Sequence, residues 1–104
     1  MKDFMTIAGH KVRVEINWRA IADFCKQRGT STVAFLSNLS DITPEDLSLL
    51  LVCAVHEGER LEGRESSVTL EDVNALGLSD MGEFIKIYVR QSTPELPAEQ
   101  GKKA

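Results

Sequence analysis

Ile42-Thr43-Pro44-Glu45-Asp46-Leu47-Ser48-Leu49-Leu50-Leu51-Val52-Cys53-Ala54-Val55 is the stretch that decides the fold. Thr43 has the side chain of a helix N-cap, Pro44 suits the first helical position, and Asp46 stands at the third. From Leu47 to Val55 every residue but Ser48 is apolar. A helix of that composition is apolar nearly all round and must be covered on most sides. The pattern predicts a central helix from Pro44 to about Leu61, offering Leu47, Leu50, Leu51, Ala54 and Leu61 and ending near Gly63.

Two further helix entries carry the same signature. Asn17 can cap a helix led by Trp18, with Ile16 before the cap facing Ile21. Thr69 can cap a short helix, with Val68 facing Val73 and Asp72 at the third position. With Ile42 facing Leu47, each entry is a cap plus a hydrophobic staple. The Trp-led helix runs to Gly29 and is expected to present Trp18, Ile21, Ala22 and Cys25. Thr32 to Leu39 reads as a short helix, Glu62 to Ser67 as a polar loop, and Gly77-Leu78-Ser79 as a turn. A last helix, Asp80 to Gln91, offers Met81, Phe84, Ile85 and Tyr88 at helical spacing.

Upstream, Phe4-Met5-Thr6-Ile7 reads as a strand and Ala8-Gly9-His10-Lys11 as a turn. Val12-Arg13-Val14-Glu15-Ile16 alternates with period two, as a half-buried strand does. The expected fold is therefore α+β: an N-terminal β-hairpin (4–16) packed on a small four- to five-helix bundle (17–91). These elements make one domain over 1–91, followed by a disordered tail over 92–104.

Composition narrows the function classes. An apolar content of 42% in 104 residues is that of a globular chain with a core of its own. No apolar run approaches the roughly 18 residues of a membrane span, and Met1-Lys2-Asp3-Phe4 opens no signal-peptide core. Cys25 and Cys53 sit within apolar helical patterns and read as buried thiols in a reducing compartment. The net charge of −4 is unevenly spread. Residues 1–39 hold six Lys/Arg against three Asp/Glu, whereas residues 40–91 hold four against eleven. The acidic part would be repelled by phosphate, which argues against nucleic acid as its partner.

Candidate chemistry is sparse. Cys53 and His56 stand three apart on one helix, but no short-spaced cysteine pair accompanies them as a metal site would want. As nucleophile and base they lack the electropositive, open setting a reactive thiol needs. Glu57, Glu59, Glu62 and Glu65 read as a solvated helix end and loop. Thr69–Leu76, a turn, and Asp80–Gln91 have the lengths of a helix-turn-helix, yet Asp80 and Glu83 lie where phosphate contacts would fall. No catalytic residue, cofactor site or metal site is expected.

The order of elements and their short motifs carry a resemblance. A hairpin and a Trp-led helix ending at Gly29 precede Phe35-Leu36 and Leu39-Ser40. Then come Thr43-Pro44-Glu45-Asp46-Leu47, Ala54-Val55-His56-Glu57-Gly58, and Val68-Thr69-Leu70-Glu71-Asp72-Val73. Over roughly residues 4–91 this resembles the small tail assembly chaperones of siphophages and related gene transfer agents. Members of that family often show a Trp-Ala-Gly-like step in the central helix, where this chain has Val52-Cys53-Ala54.

The resemblance implies a non-enzymatic, cytoplasmic protein of an infected or lysogenic bacterial host cell. It would bind the tape measure protein and help to recruit the major tail protein of the tube around it, with neither nucleic acid nor membrane as partner. A homo-oligomer is compatible with such a role. The family often makes a longer form by a −1 frameshift, and Gly101-Lys102-Lys103-Ala104 permits a slippery heptamer at the codon level. Apolar residues on the last helix exceed one stripe, which places the expected partner contact at Phe84, Ile87 and Tyr88, with the core as their other use. The alternative function is a small adaptor or transcriptional regulator with a helix-turn-helix-like C-terminal half.

Overall fold

A computed structural model describes residues 2–29 and 42–92. The chain begins with a two-stranded antiparallel hairpin, β1 (Asp3–Ile7) and β2 (His10–Val14), in the register Asp3↔Val14 to Ile7↔His10. Four helices follow among the described residues: α1 (Trp18–Arg28), α2 (Pro44–Leu61), α3 (Leu70–Asn74) and α4 (Leu78–Ser92). The architecture is α+β, a hairpin packed on helices around one core. The short helix expected over 32–39 and the tail from 93 lie outside the described residues.

The hairpin turn is tighter than the sequence reading placed it. Ala8 and Gly9 alone form it, with φ of 53° and 81°, and His10 and Lys11 already belong to β2. Positive φ at both central residues gives the twist that a two-residue hairpin needs. Met5, Ile7, Val12 and Val14 point into the core, as period-two alternation requires.

At the centre, α2 has the expected bounds. The Thr43 hydroxyl accepts from the Asp46 amide at 3.1 Å, and Pro44 occupies the first turn. At the other end Gly63 takes φ of 80°, the Gly63 N–H donates to the Arg60 carbonyl, and the Arg64 N–H donates to the Glu59 carbonyl. That pair of bonds is a glycine-terminated helix stop. Between the caps Leu50 to Val55 are all buried. β2, α1 and α3 pack against this helix.

The tightest approach is that of β2. A Cβ built on Gly58 would collide with the Arg13 carbonyl oxygen and come within 2.6 Å of its carbonyl carbon. Glycine at 58 therefore lets the strand backbone lie directly on the helix. Around that contact the Glu15 N–H donates to the Ala54 carbonyl at 3.0 Å, and the Arg13 N–H donates to Glu59 Oε2 at 3.0 Å.

Two helix faces differ from expectation. Ala20, Ile21 and Phe24 form the buried face of α1, while Trp18 is 69% exposed, Ala22 is exposed and Cys25 is half-buried. The Asn17 side chain fixes that rotation. It accepts from the Ala20 amide and donates to Glu57 Oε2 at 2.7 Å, tying the first turn of α1 to α2. In α2, Leu47 is half-buried and Leu61 is exposed. α4 begins two residues early because Asp80 reaches back to the Gly77 amide at 3.2 Å, drawing Leu78 and Ser79 into its first turn.

Gly58→Ala is expected to destabilise the fold by about 1–3 kcal/mol, because a methyl group must push backbone away from backbone. Urea unfolding of the two proteins checks this. An unchanged midpoint would mean that β2 is not seated on α2 at Gly58.

Candidate functional site

Cys53 is buried at 1% exposure, and the Gln27 amide lies 3.7 Å from its sulfur. Burial, with the nearby Asp23 carboxylate adding to it, pushes the thiol up to about 12. A nucleophilic cysteine needs the opposite shift. His56 points elsewhere: its Nε2 makes a 2.9 Å hydrogen bond with the Val68 carbonyl, tying α2 to the segment before α3. Both cysteines are free thiols. Among the described residues no group of three or more His, Cys, Asp and Glu is arranged to hold a metal ion. No helix there is long and apolar enough to cross a membrane.

The glutamates were expected in solvent, and the structure corrects two of them. Glu57 and Glu59 are buried, Glu62 is half-buried, and only Glu65 lies exposed. Glu57 takes both nitrogens of an Arg60 fork at 2.9 Å as well as the Asn17 amide. Glu59 takes the Arg64 fork at 2.9 Å and the Arg13 N–H. The bonds from Arg60 hold the Glu57 carboxyl below its ordinary range against the opposing effect of burial, and those from Arg64 do the same for Glu59. These carboxylates are paired and ionised, and they bind the hairpin, α1 and the loop to the end of α2.

The helix-turn-helix alternative meets a short first helix. α3 has five residues, and the exposed acids Asp80 and Glu83 lead α4. The expected contact residues Phe84, Ile87 and Tyr88 are 0%, 1% and 3% exposed. They form the core face of α4, the second of the two uses expected for them. The end of α4 holds them inward. Arg90 donates to Asp3 Oδ1 at 2.6 Å, and Gln91 donates to Asp3 and to the Val14 carbonyl, both at 2.9 Å. Gln91 also accepts from the Ile16 N–H at 2.7 Å.

α4 nevertheless carries more apolar surface than its core face uses. Leu78 is 94% exposed, Val89 53% and Ile85 37%. With Gly82 they recur at spacings of four, three and four residues, one continuous stripe along the helix. Its N-terminal half opens on a groove of about 420 Å³, lined by Ile42, Pro44 and Leu47 from the start of α2 and by Leu78, Met81 and Ile85 from α4. The other large exposed apolar residues, Phe4, Trp18, Leu61 and Leu70, stand one to an element. Phe4 lies beneath the Lys11 ammonium at 4.9 Å. The outer face of α4 with its groove is the candidate site, and its chemistry is that of a docking surface. No family model, curated protein or solved structure matches the chain.

Two measurements test this account of the polar groups. In a Cys25→Ser variant, the Cys53 thiol is expected to react with a disulfide reagent at mildly alkaline pH only as fast as the protein unfolds; rapid labelling would contradict its burial. For Glu57, a folded-state value below the unfolded one gives stabilisation that is present above about pH 4.3 and lost as pH falls through the folded value. Glu57→Gln is expected to lower stability at neutral pH and to flatten its decline on acidification, read from urea midpoints across a pH series. Parallel curves for the two proteins would contradict the pairing.

Proposed function

We propose that this protein is a non-enzymatic tail assembly chaperone of a phage or prophage, acting in the bacterial cytoplasm. It binds an amphipathic helical segment of the tape measure protein and brings tail tube subunits to it. The observation that carries this reading is the second apolar stripe of α4, Leu78-Gly82-Ile85-Val89, with the groove beside it. A groove between two helices accepts the apolar face of a third, anchored at positions one turn apart. A tape measure protein is long and helical, and its apolar faces aggregate unless covered until the tube encloses them. Small domains that cover such faces reversibly meet that need without any catalytic group. The motif order described above supports the same reading.

The test is co-purification after co-expression with a tape measure protein from the same genome. The wild-type chain is expected to form a complex. Leu78→Asp and Val89→Glu, on exposed positions, are expected to lose it with unchanged circular dichroism. A complex indifferent to both substitutions, or none with the wild-type chain, would contradict the proposal.

A further inference from the structure

The apolar run of α2 from Leu47 to Val55 is broken once, at Ser48. Serine is a poorer helix former than alanine, and burying a hydroxyl costs free energy unless it is bonded. Ser48 is only 8% exposed. A helix serine often turns its hydroxyl back onto the carbonyl four residues earlier. Here no such bond to Pro44 is made, and among the described residues the hydroxyl has no protein partner. Its oxygen is not sealed in the interior either. It opens instead on the groove between α2 and α4, whose other lining residues among those described are all apolar. Gly82 also lines the groove, and a Cβ built there meets nothing within 4 Å, so an incoming helix can approach closely.

A lone hydroxyl between apolar walls selects the chemistry of what meets it. A carboxylate or ammonium would give up its water there for one neutral hydrogen bond, a losing exchange. An uncharged amide or hydroxyl loses far less and can both donate and accept. We propose that Ser48 is the register-setting contact of this groove. It meets an amphipathic partner helix at the one uncharged polar side chain of that helix's apolar face, an Asn, Gln, Ser or Thr. This inference rests on the reading of the groove as a site for a tape measure helix. A long helix with a continuous apolar face can shift along such a groove turn by turn at little cost. A single buried polar pair penalises every register that leaves either group unbonded, as one polar position does in a coiled coil. The chain therefore settles on particular segments of its partner and passes over other apolar stretches.

Binding of the full chain to an immobilised tape measure protein from the same genome, with hydrogen exchange of the co-expressed complex, tests this. The wild-type chain is expected to protect discrete segments of the tape measure protein, each with one uncharged polar residue within its apolar face. Ser48→Ala is expected to bind roughly tenfold more weakly and to spread that protection over neighbouring registers. Its thermal midpoint in isolation is expected to stay level or rise, because alanine is the better helix former. Equal affinity and an unchanged footprint for Ser48→Ala overturn the inference and leave the functional reading standing. A lowered thermal midpoint assigns the hydroxyl to the fold and overturns the inference as well. If the wild-type chain forms no complex, both the inference and the functional reading fall.

Discussion

The contact between the Arg13 carbonyl and the backbone of Gly58 is the constraint on which the other interactions depend. A strand and a helix pack through side chains in most folds, with a layer of methyl groups between them. Here that layer is missing at one point, and the strand comes close enough for Glu15 to donate to a helix carbonyl. The same approach brings the Arg13 N–H to Glu59 and its guanidinium to Glu62 and Glu15. Buried carboxylates at the end of α2 are then paired from several elements, which lets them stay charged away from water.

Seating the hairpin also determines what α4 presents. Asp3 and the Val14 carbonyl become the anchors for Arg90 and Gln91. With its last turn held there, the helix can turn only one face inward, that of Phe84, Ile87 and Tyr88. The remaining apolar residues must lie outside. The apolar residues Leu78, Ile85 and Val89 are left on the outer face by the same packing.

The parts of this structure readable in the sequence are those governed by local chemistry. Thr43, Pro44 and Gly63 mark both ends of α2, Asn17 and Gly29 mark α1, and Thr69 with Asp72 closes a reciprocal capping box on α3. Caps work over a few residues, so sequence spacing is enough to find them. What was misread depends on partners far along the chain. Trp18 looked like a core residue, but the rotation of α1 is set by Asn17 bonding Glu57, forty residues away. Glu57 and Glu59 looked solvated because charge pattern does not reveal burial, although Arg60 and Arg64 at spacings of three and five could have suggested pairing. For α4 the surplus of apolar residues was readable, but the choice of inner face depended on Gln91, a polar residue whose bonds to the hairpin no local pattern announces.

Native-state hydrogen exchange tests the seating of the hairpin most directly. The Glu15 amide and the amides of α2 from Leu51 to Gly58 are expected to exchange with one shared opening free energy, equal to that of global unfolding. That result would make strand and helix a single cooperative unit joined at Gly58. If the Glu15 amide opened several kcal/mol more easily than α2, the hairpin would be a loosely attached element, and the fixed inner and outer faces of α4 would lose their basis.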